Sequence, residues 1–136
     1  MYLRELGDDT QFEFTAQTYQ RDGFGACPAF AGLAAELDDE VVGYLLNHFG
    51  YDTDRAMRLM IVIDLYVRET KRRRGIGEAL MGAAAQICRD AGGRELIWSV
   101  FTPNKLAFRF YEHLGAKYIE GLKFMRWPVP SHFQNS

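Results

Sequence analysis

Residues 57–90 constrain this chain most, because there a long apolar run passes through a basic, glycine-containing turn into a helical pattern. The run Leu59-Met60-Ile61-Val62-Ile63 sits within 57–67 and carries no polar residue. Its length and β-branched content read as a strand buried on both faces. After a short spacer comes Arg72-Arg73-Arg74-Gly75-Ile76-Gly77. Apolar positions 76, 80, 83, 84, 87 and 91 then keep helical spacing, and Gly92-Gly93 stops the helix. Two glycines at such a corner let the backbone approach a ligand. The N–H groups of a first helical turn lack intrahelical acceptors, and the positive end of the helix dipole stands behind them. That combination suits a pyrophosphate, and the arginines add attraction at its rim.

Two familiar phosphate loops fail against this turn. A P-loop requires Gly-Lys-Ser or Gly-Lys-Thr, whereas Gly77-Glu78-Ala79 stands here. A dinucleotide fingerprint requires a third small residue where Leu80 is found, and a ribose-binding acid at the end of the next strand, which Glu95 instead begins.

The rest of the pattern frames that corner. Thr15 is a candidate N-cap for a short helix over 16–21, ended by Asp22-Gly23-Phe24-Gly25. Residues 28–37 and 41–49 read as strands joined at Asp38-Asp39-Glu40. Residues 96–101 read as a further buried strand. Asn104 is placed to cap a second helix that carries Ala107, Phe110, Tyr111 and Leu114 along one face and ends at Gly115. Residues 117–120 and 122–127 predict a terminal hairpin about Gly121. The expectation is an α+β fold, a mixed and mostly antiparallel central sheet flanked by helices, in one domain spanning 1–136 with 1–14 and 129–136 loose.

Composition bounds the function. With 136 residues, 48% apolar, the chain fits one core. It has no apolar run of membrane-spanning length and no signal-peptide pattern at its start, so the expectation is a cytoplasmic protein without a membrane partner. Cys27 and Cys88 form no metal-type cluster, and both read as buried, reduced thiols; no metal is expected. Net charge is −2, but residues 1–64 carry 12 acidic and 4 basic side chains, and residues 65–136 carry 6 and 12. The basic half favours an anionic ligand and the acidic half a cationic one. The acidic first half, and the lack of a second basic patch, argue against nucleic acid as the partner of Arg72–Arg74.

Two stretches carry a family resemblance. Leu65-Tyr66-Val67, then Arg72-Arg73-Arg74-Gly75-Ile76-Gly77, resembles the strand and Arg/Gln-x-x-Gly-x-Gly/Ala signature of the GNAT acetyltransferase superfamily. Asn104-Lys105-Leu106-Ala107-Phe108-Arg109-Phe110-Tyr111-Glu112-His113-Leu114-Gly115 matches its second signature, Asn-x-x-Ala-x-x-Phe-Tyr-x-x-x-Gly, at every fixed position. The resemblance implies acetyl-coenzyme A as cosubstrate. It implies that Arg72, Arg73, Arg74, Gly75, Ile76, Gly77 and Glu78 surround the pyrophosphate, with backbone amides of 73–78 as the grip. Leu65, Tyr66 and Val67 would pair with the pantetheine arm, and the Val67 N–H would serve the oxyanion. Asn104 and Ala107 would lie along coenzyme A, and Tyr111 near the thioester sulfur as general acid.

The branch most similar is that of the spermidine/spermine and thialysine N-acetyltransferases. Asp22-Gly23-Phe24-Gly25, Pro28, Leu33-Ala34-Ala35-Glu36, Val42-Gly43, Phe49-x-Tyr51-Asp52 and Asp64 carry that likeness. It implies a primary amine on a small, cationic molecule as acceptor, and a homodimer. The alternatives are a protein or peptide amine as acceptor, or an acyl-coenzyme A-binding paralogue without catalysis. Asp64 is the candidate to meet the substrate or take its proton; it reads equally as a strand-end carboxylate that salt-bridges or binds water. His48 and His113 are weaker candidates. Two departures stand out. Ile63 replaces a family carboxylate, which speaks against polyamines, and only some 14 residues precede the Thr15 helix where a strand and helix are usual.

Overall fold

A computed structural model describes residues 15–131. Its elements are α1 (Ala16–Gly23), β1 (Ala31–Leu37), β2 (Glu40–Asp52), β3 (Met57–Val67), α2 (Ile76–Asp90), β4 (Gly93–Ile97) and α3 (Lys105–Leu114), with a 3-10 turn at Glu69–Lys71. They form a four-stranded sheet in the order β1-β2-β3-β4. The first two pairings are antiparallel and the last is parallel. This is the α+β, mostly antiparallel arrangement that the sequence predicts.

Local chemistry explains most element ends. Thr15 accepts the Thr18 N–H at 3.2 Å while its own N–H donates to Thr18 Oγ1 at 2.7 Å, a reciprocal cap that starts α1. The β1–β2 loop is only Asp38-Asp39, both in the left-handed region at φ 52 and 63. Such a loop matches the twist of a two-residue hairpin, and short Asp side chains tolerate that backbone.

The core lies on one face of the sheet. Leu45 and Leu65 sit opposite each other across β2 and β3, and both are fully buried. Met60, Val62 and Val67 join them, covered by Leu80, Met81, Ala84 and Cys88 of α2 and by Ala107 and Tyr111 of α3. Each Leu so buried contributes about 1.5–3 kcal/mol. The opposite face receives α1, whose Tyr19 hydroxyl lies beside Gly32.

Four expectations need correction. The buried stripe of α2 is 80, 81, 84 and 88; Ala83 and Ile87 are exposed, because the helix rolls to seat Met81 and Cys88 in the core. The fourth strand is Gly93–Ile97 and not 96–101, because pairing with β3 ends at Ile61–Ile97 and the chain then leaves the sheet. The terminal hairpin does not form strands. A turn persists at Glu120–Gly121, but Tyr118, Leu122, Phe124, Met125 and Trp127 are all exposed, and 117–130 has no strand partner among the described residues. Apolar residues on both sides of that segment give it no single face to lay on this chain's core. Finally, Cys27 is exposed, since it falls in the irregular link between α1 and β1; Cys88 is buried as expected. The expectations for residues 1–14 and 132–136 lie outside the described residues.

Candidate active site

β3 departs from an even strand at one point that shapes the site. Leu46 pairs with Asp64 and Asn47 with Val62, so Ile63 is an extra residue, a bulge. A bulged strand bends and twists more strongly. The bulge lies two residues beyond Ile61, where β3–β4 pairing ends. From there β3 runs on to Val67, while residues 98–101 turn off toward α3. Strand pairing is therefore open between 62–67 and 98–101, and this gap in the sheet is the candidate cleft.

One lip of this cleft is Leu65-Tyr66-Val67. Arg68 donates its N–H to the Val42 carbonyl at 2.7 Å, across β2. Because backbone groups alternate along a strand, the Leu65 and Val67 amides point the other way, into the cleft. Side chains divide likewise. Leu65 and Val67 belong to the core, whereas Asp64 and Tyr66 stand on the opposite face.

At the end of β3 the chain turns into α2. Arg72 folds back, its Nε donating to the Val67 carbonyl at 3.0 Å, and so clasps the turn. Arg73 (φ 64) and Gly75 (φ 78) both adopt the left-handed region. At Gly75 an added Cβ would meet nothing within 4 Å; glycine is there for the backbone angle. Gly77 has another reason, since a Cβ there would come 3.1 Å from the Phe110 ring. The first helical bond is Ala79 N–H to the Gly75 carbonyl at 2.9 Å, and Gly75 offers no side-chain cap. The Ile76, Gly77 and Glu78 amides therefore have no acceptor within the helix. Arg73, Arg74 and Glu78 are exposed around them, Ile76 is half-buried, and Arg72 is turned inward, which breaks up the basic run.

The cleft's other wall belongs to α3. Asn104 is buried, and its Oδ1 accepts the Ala107 N–H at 3.1 Å. Its expected capping role is therefore met by the oxygen, and the amide NH2 takes no part in that cap. Ala107 and Tyr111, one turn apart, are both buried. The Tyr111 ring packs on Trp98 at 4.9 Å and on Phe110 at 5.3 Å. Sequence reasoning missed Trp98, read only as an interior residue of a strand.

Asp64 is held by a residue that was also missed. The Tyr44 hydroxyl donates to Asp64 Oδ2 at 3.0 Å, and the Tyr44 and Tyr66 rings lie 5.6 Å apart. The structure thus brings Leu65, Val67, Ala107 and Tyr111 together, and sets Asp64 across the strand from them. His48 lies along β2 on Asp64's face with its Nδ1 3.3 Å from the Phe49 carbonyl, and His113 is exposed in the last turn of α3. Among the described residues no side-chain group could hold a metal ion, and no helix is long and apolar enough to cross a membrane.

The site fits acetyl-coenzyme A on its own terms. The three free amides and the left-handed turn form a cradle for an anionic phosphate, and a strand edge with outward amides suits an extended pantetheine amide chain. Comparison with known proteins agrees. The profile of the acetyltransferase (GNAT) family matches residues 2–116. Thialysine N-epsilon-acetyltransferase of Bos taurus is 31% identical over 127 residues, covering 85% of this chain and 74% of that enzyme. L-Ornithine N5-acetyltransferase of Arabidopsis thaliana is 32% identical over 95 residues, 69% of this chain and 42% of that one. Among solved structures, an integron cassette protein of V.cholerae shares the fold with a TM-score of 0.76 at 23% identity, covering 93% of this chain and 79% of its own. Cleft, cradle and family profile coincide on one stretch of chain: the protein belongs to the acetyltransferase (GNAT) family and is an N-acetyltransferase.

Proposed function

We propose that the chain transfers an acetyl group from acetyl-coenzyme A to the primary amine of a small, cationic molecule by direct attack. One observation carries this: the free amides at Ile76–Glu78 and the outward amides of Leu65 and Val67 lead along one strand edge toward the Tyr111 wall. Relatives named for thialysine and ornithine acetylation support a small amine as acceptor.

Bound acetyl-coenzyme A supplies the acetyl group as a thioester, so a C–N bond forms as the C–S bond breaks. The chain's residues do the rest. Backbone amides of 73–78 hold the pyrophosphate, with Arg73 and Arg74 at the rim and Arg72 clasping the turn. Leu65, Tyr66 and Val67 align the pantetheine, and the Val67 N–H donates toward the oxygen where charge develops. Asn104 and the small Ala107 let the arm pass. Tyr111 hands its proton to the departing sulfur. A lysine-like amine is only about one part in 10³ neutral at pH 7, so a proton must first leave it. Asp64, on the far side of the strand, takes that proton. Two-sided access through the gap in the sheet brings amine and thioester together from opposite faces.

We also propose that two copies associate. The outer edge of β4 carries no strand among the described residues, and Phe124, Met125 and Val129 are over four-fifths exposed. An open edge and an extended apolar segment on one molecule are self-complementary in a two-fold pair. Two free thiols suit a reducing compartment, the cytoplasm.

The test is thiol release over a panel of small amines with acetyl-coenzyme A. Turnover with diamino acids or similar cations supports the reading. Transfer only to peptide amines would replace the acceptor class, and tight acetyl-coenzyme A binding without any turnover would make the protein a non-catalytic binder.

A further inference from the structure

We infer that Tyr44 is a positioning residue for the acceptor amine, acting by fixing the Asp64 carboxylate; this rests on the proposed amine transfer. Leu46 is the cross-strand partner of Asp64, and Tyr44 that of Tyr66, so Tyr44 sits diagonally from Asp64 on one face. A diagonal neighbour lies within reach of a long side chain, and the Tyr44 hydroxyl does reach Oδ2 at 3.0 Å. The Tyr66 ring packs against Tyr44 at 5.6 Å and limits its swing. Asp64 follows the bulged Ile63, so its carboxylate stands where the strand departs from even pairing.

The arrangement suits an ammonium group. One carboxylate oxygen accepts from the Tyr44 hydroxyl, which orients the group, and the Tyr44 and Tyr66 rings on the same face favour a cation. In the step assigned to it, Asp64 accepts one proton from R–NH3+, giving R–NH2 and a protonated carboxyl. The free amine's lone pair then forms the C–N bond as the C–S bond breaks, and the second proton lost from nitrogen replaces the one that Tyr111 gives to sulfur. The proton on Asp64 passes to water after transfer. A donor to the ionised carboxylate keeps it a weaker base than it would otherwise be, and stabilises it against protonation in acid.

Other titratable groups face this carboxylate's surroundings. Tyr66 lies on the same strand, His48 lies further along β2 on the same face, and Tyr19 of α1 lies beyond Gly32. Histidine is the side-chain type whose unperturbed pKa lies nearest neutrality, so His48→Gln serves as the control.

The experiment compares wild type, Tyr44→Phe, Asp64→Asn and His48→Gln. Tyr44→Phe keeps the ring and its packing and removes only the hydroxyl. Carbon-detected NMR titration of the Asp64 carboxyl, which needs no substrate, should show its pKa higher in Tyr44→Phe than in wild type. At pH 7, kcat/KM for the amine should fall about tenfold in Tyr44→Phe, the size expected for losing one charge-assisted hydrogen bond. The acid limb of that profile should move to higher pH, while acetyl-coenzyme A affinity stays within twofold. His48→Gln should leave the limb in place. An Asp64 titration that does not change, or an altered titration without a change in the amine profile, overturns the inference. Wild type that binds coenzyme A yet acetylates no amine overturns the proposed function, and the substrate-free titration tells the two failures apart.

Discussion

At the scale of single residues, the proposed reaction depends on Tyr111 and Gly75, and the two should fail differently. Tyr111 is buried against Trp98 and Phe110 with its hydroxyl as the only polar atom of its side chain. Tyr111→Phe retains that packing, so the account predicts a loss of about 10²-fold in kcat with acetyl-coenzyme A affinity little changed. Steady-state kinetics beside calorimetry check this; equal losses in both would mean that the ring binds and does not donate. Gly75→Ala meets no steric neighbour but forces a Cβ onto a φ of 78. The cost is about 1–2 kcal/mol, and it falls on the turn that presents the amides. We expect coenzyme A affinity to drop roughly tenfold and the melting temperature to fall by several degrees. A variant that binds normally would show that the left-handed turn is not needed for the grip.

At the scale of elements, the sequence told most where residue type alone sets backbone geometry. Asp38-Asp39 as a hairpin loop, Thr15 and Asn104 as caps, and Gly75 at the head of α2 all follow from short-range chemistry. Tertiary balance was less legible. Apolar spacing in α2 fitted 83 and 87 as well as 81 and 88, and only the sheet beneath decides which pair is buried. The end of β4 could not be read from 96–101, because a bulge on the neighbouring strand sets where pairing stops. Tyr44 and Trp98 escaped for the same reason: each acquires its role from a partner distant in sequence. The β2–β3 loop offers a separate check. Arg55 Nε donates to Asp52 Oδ2 at 2.8 Å, and another of its nitrogens bonds to Glu95 of β4. Hydrogen bonding from the Arg55 side chain holds the Asp52 carboxyl below its ordinary range. A carboxylate depressed on folding adds stability above its unfolded pKa, and that stability is lost as pH falls through the folded value. Arg55→Ala should therefore raise the Asp52 pKa in an NMR titration and flatten the acid side of the stability curve. An unmoved Asp52 would contradict the clasp.

At the scale of the whole molecule, the proposed reaction is divided between the two faces of one mixed sheet. α2 and α3 close the core face and set the cradle and Tyr111; Asp64, Tyr66 and Tyr44 occupy the other face. The charge asymmetry between residues 1–64 and 65–136 follows that division only in part, since Asp64 and the basic turn after β3 are close in sequence but sit on opposite sides of one strand. The exposed apolar segment at 118–129 is the main feature that a lone molecule leaves unexplained. Sedimentation should find a dimer, and replacing Phe124 and Met125 by Ser should shift it to monomer. A wild type that stays monomeric at high concentration would require another cover for those side chains.

The proposed function requires main-chain amides at the start of α2 to grip a pyrophosphate. Titration calorimetry of coenzyme A into the purified protein tests this most directly. Saturable binding with one site per chain, weakened in Gly75→Ala and unaffected in Tyr44→Phe, is the result predicted. No measurable heat or affinity for coenzyme A or its acetyl form would contradict it.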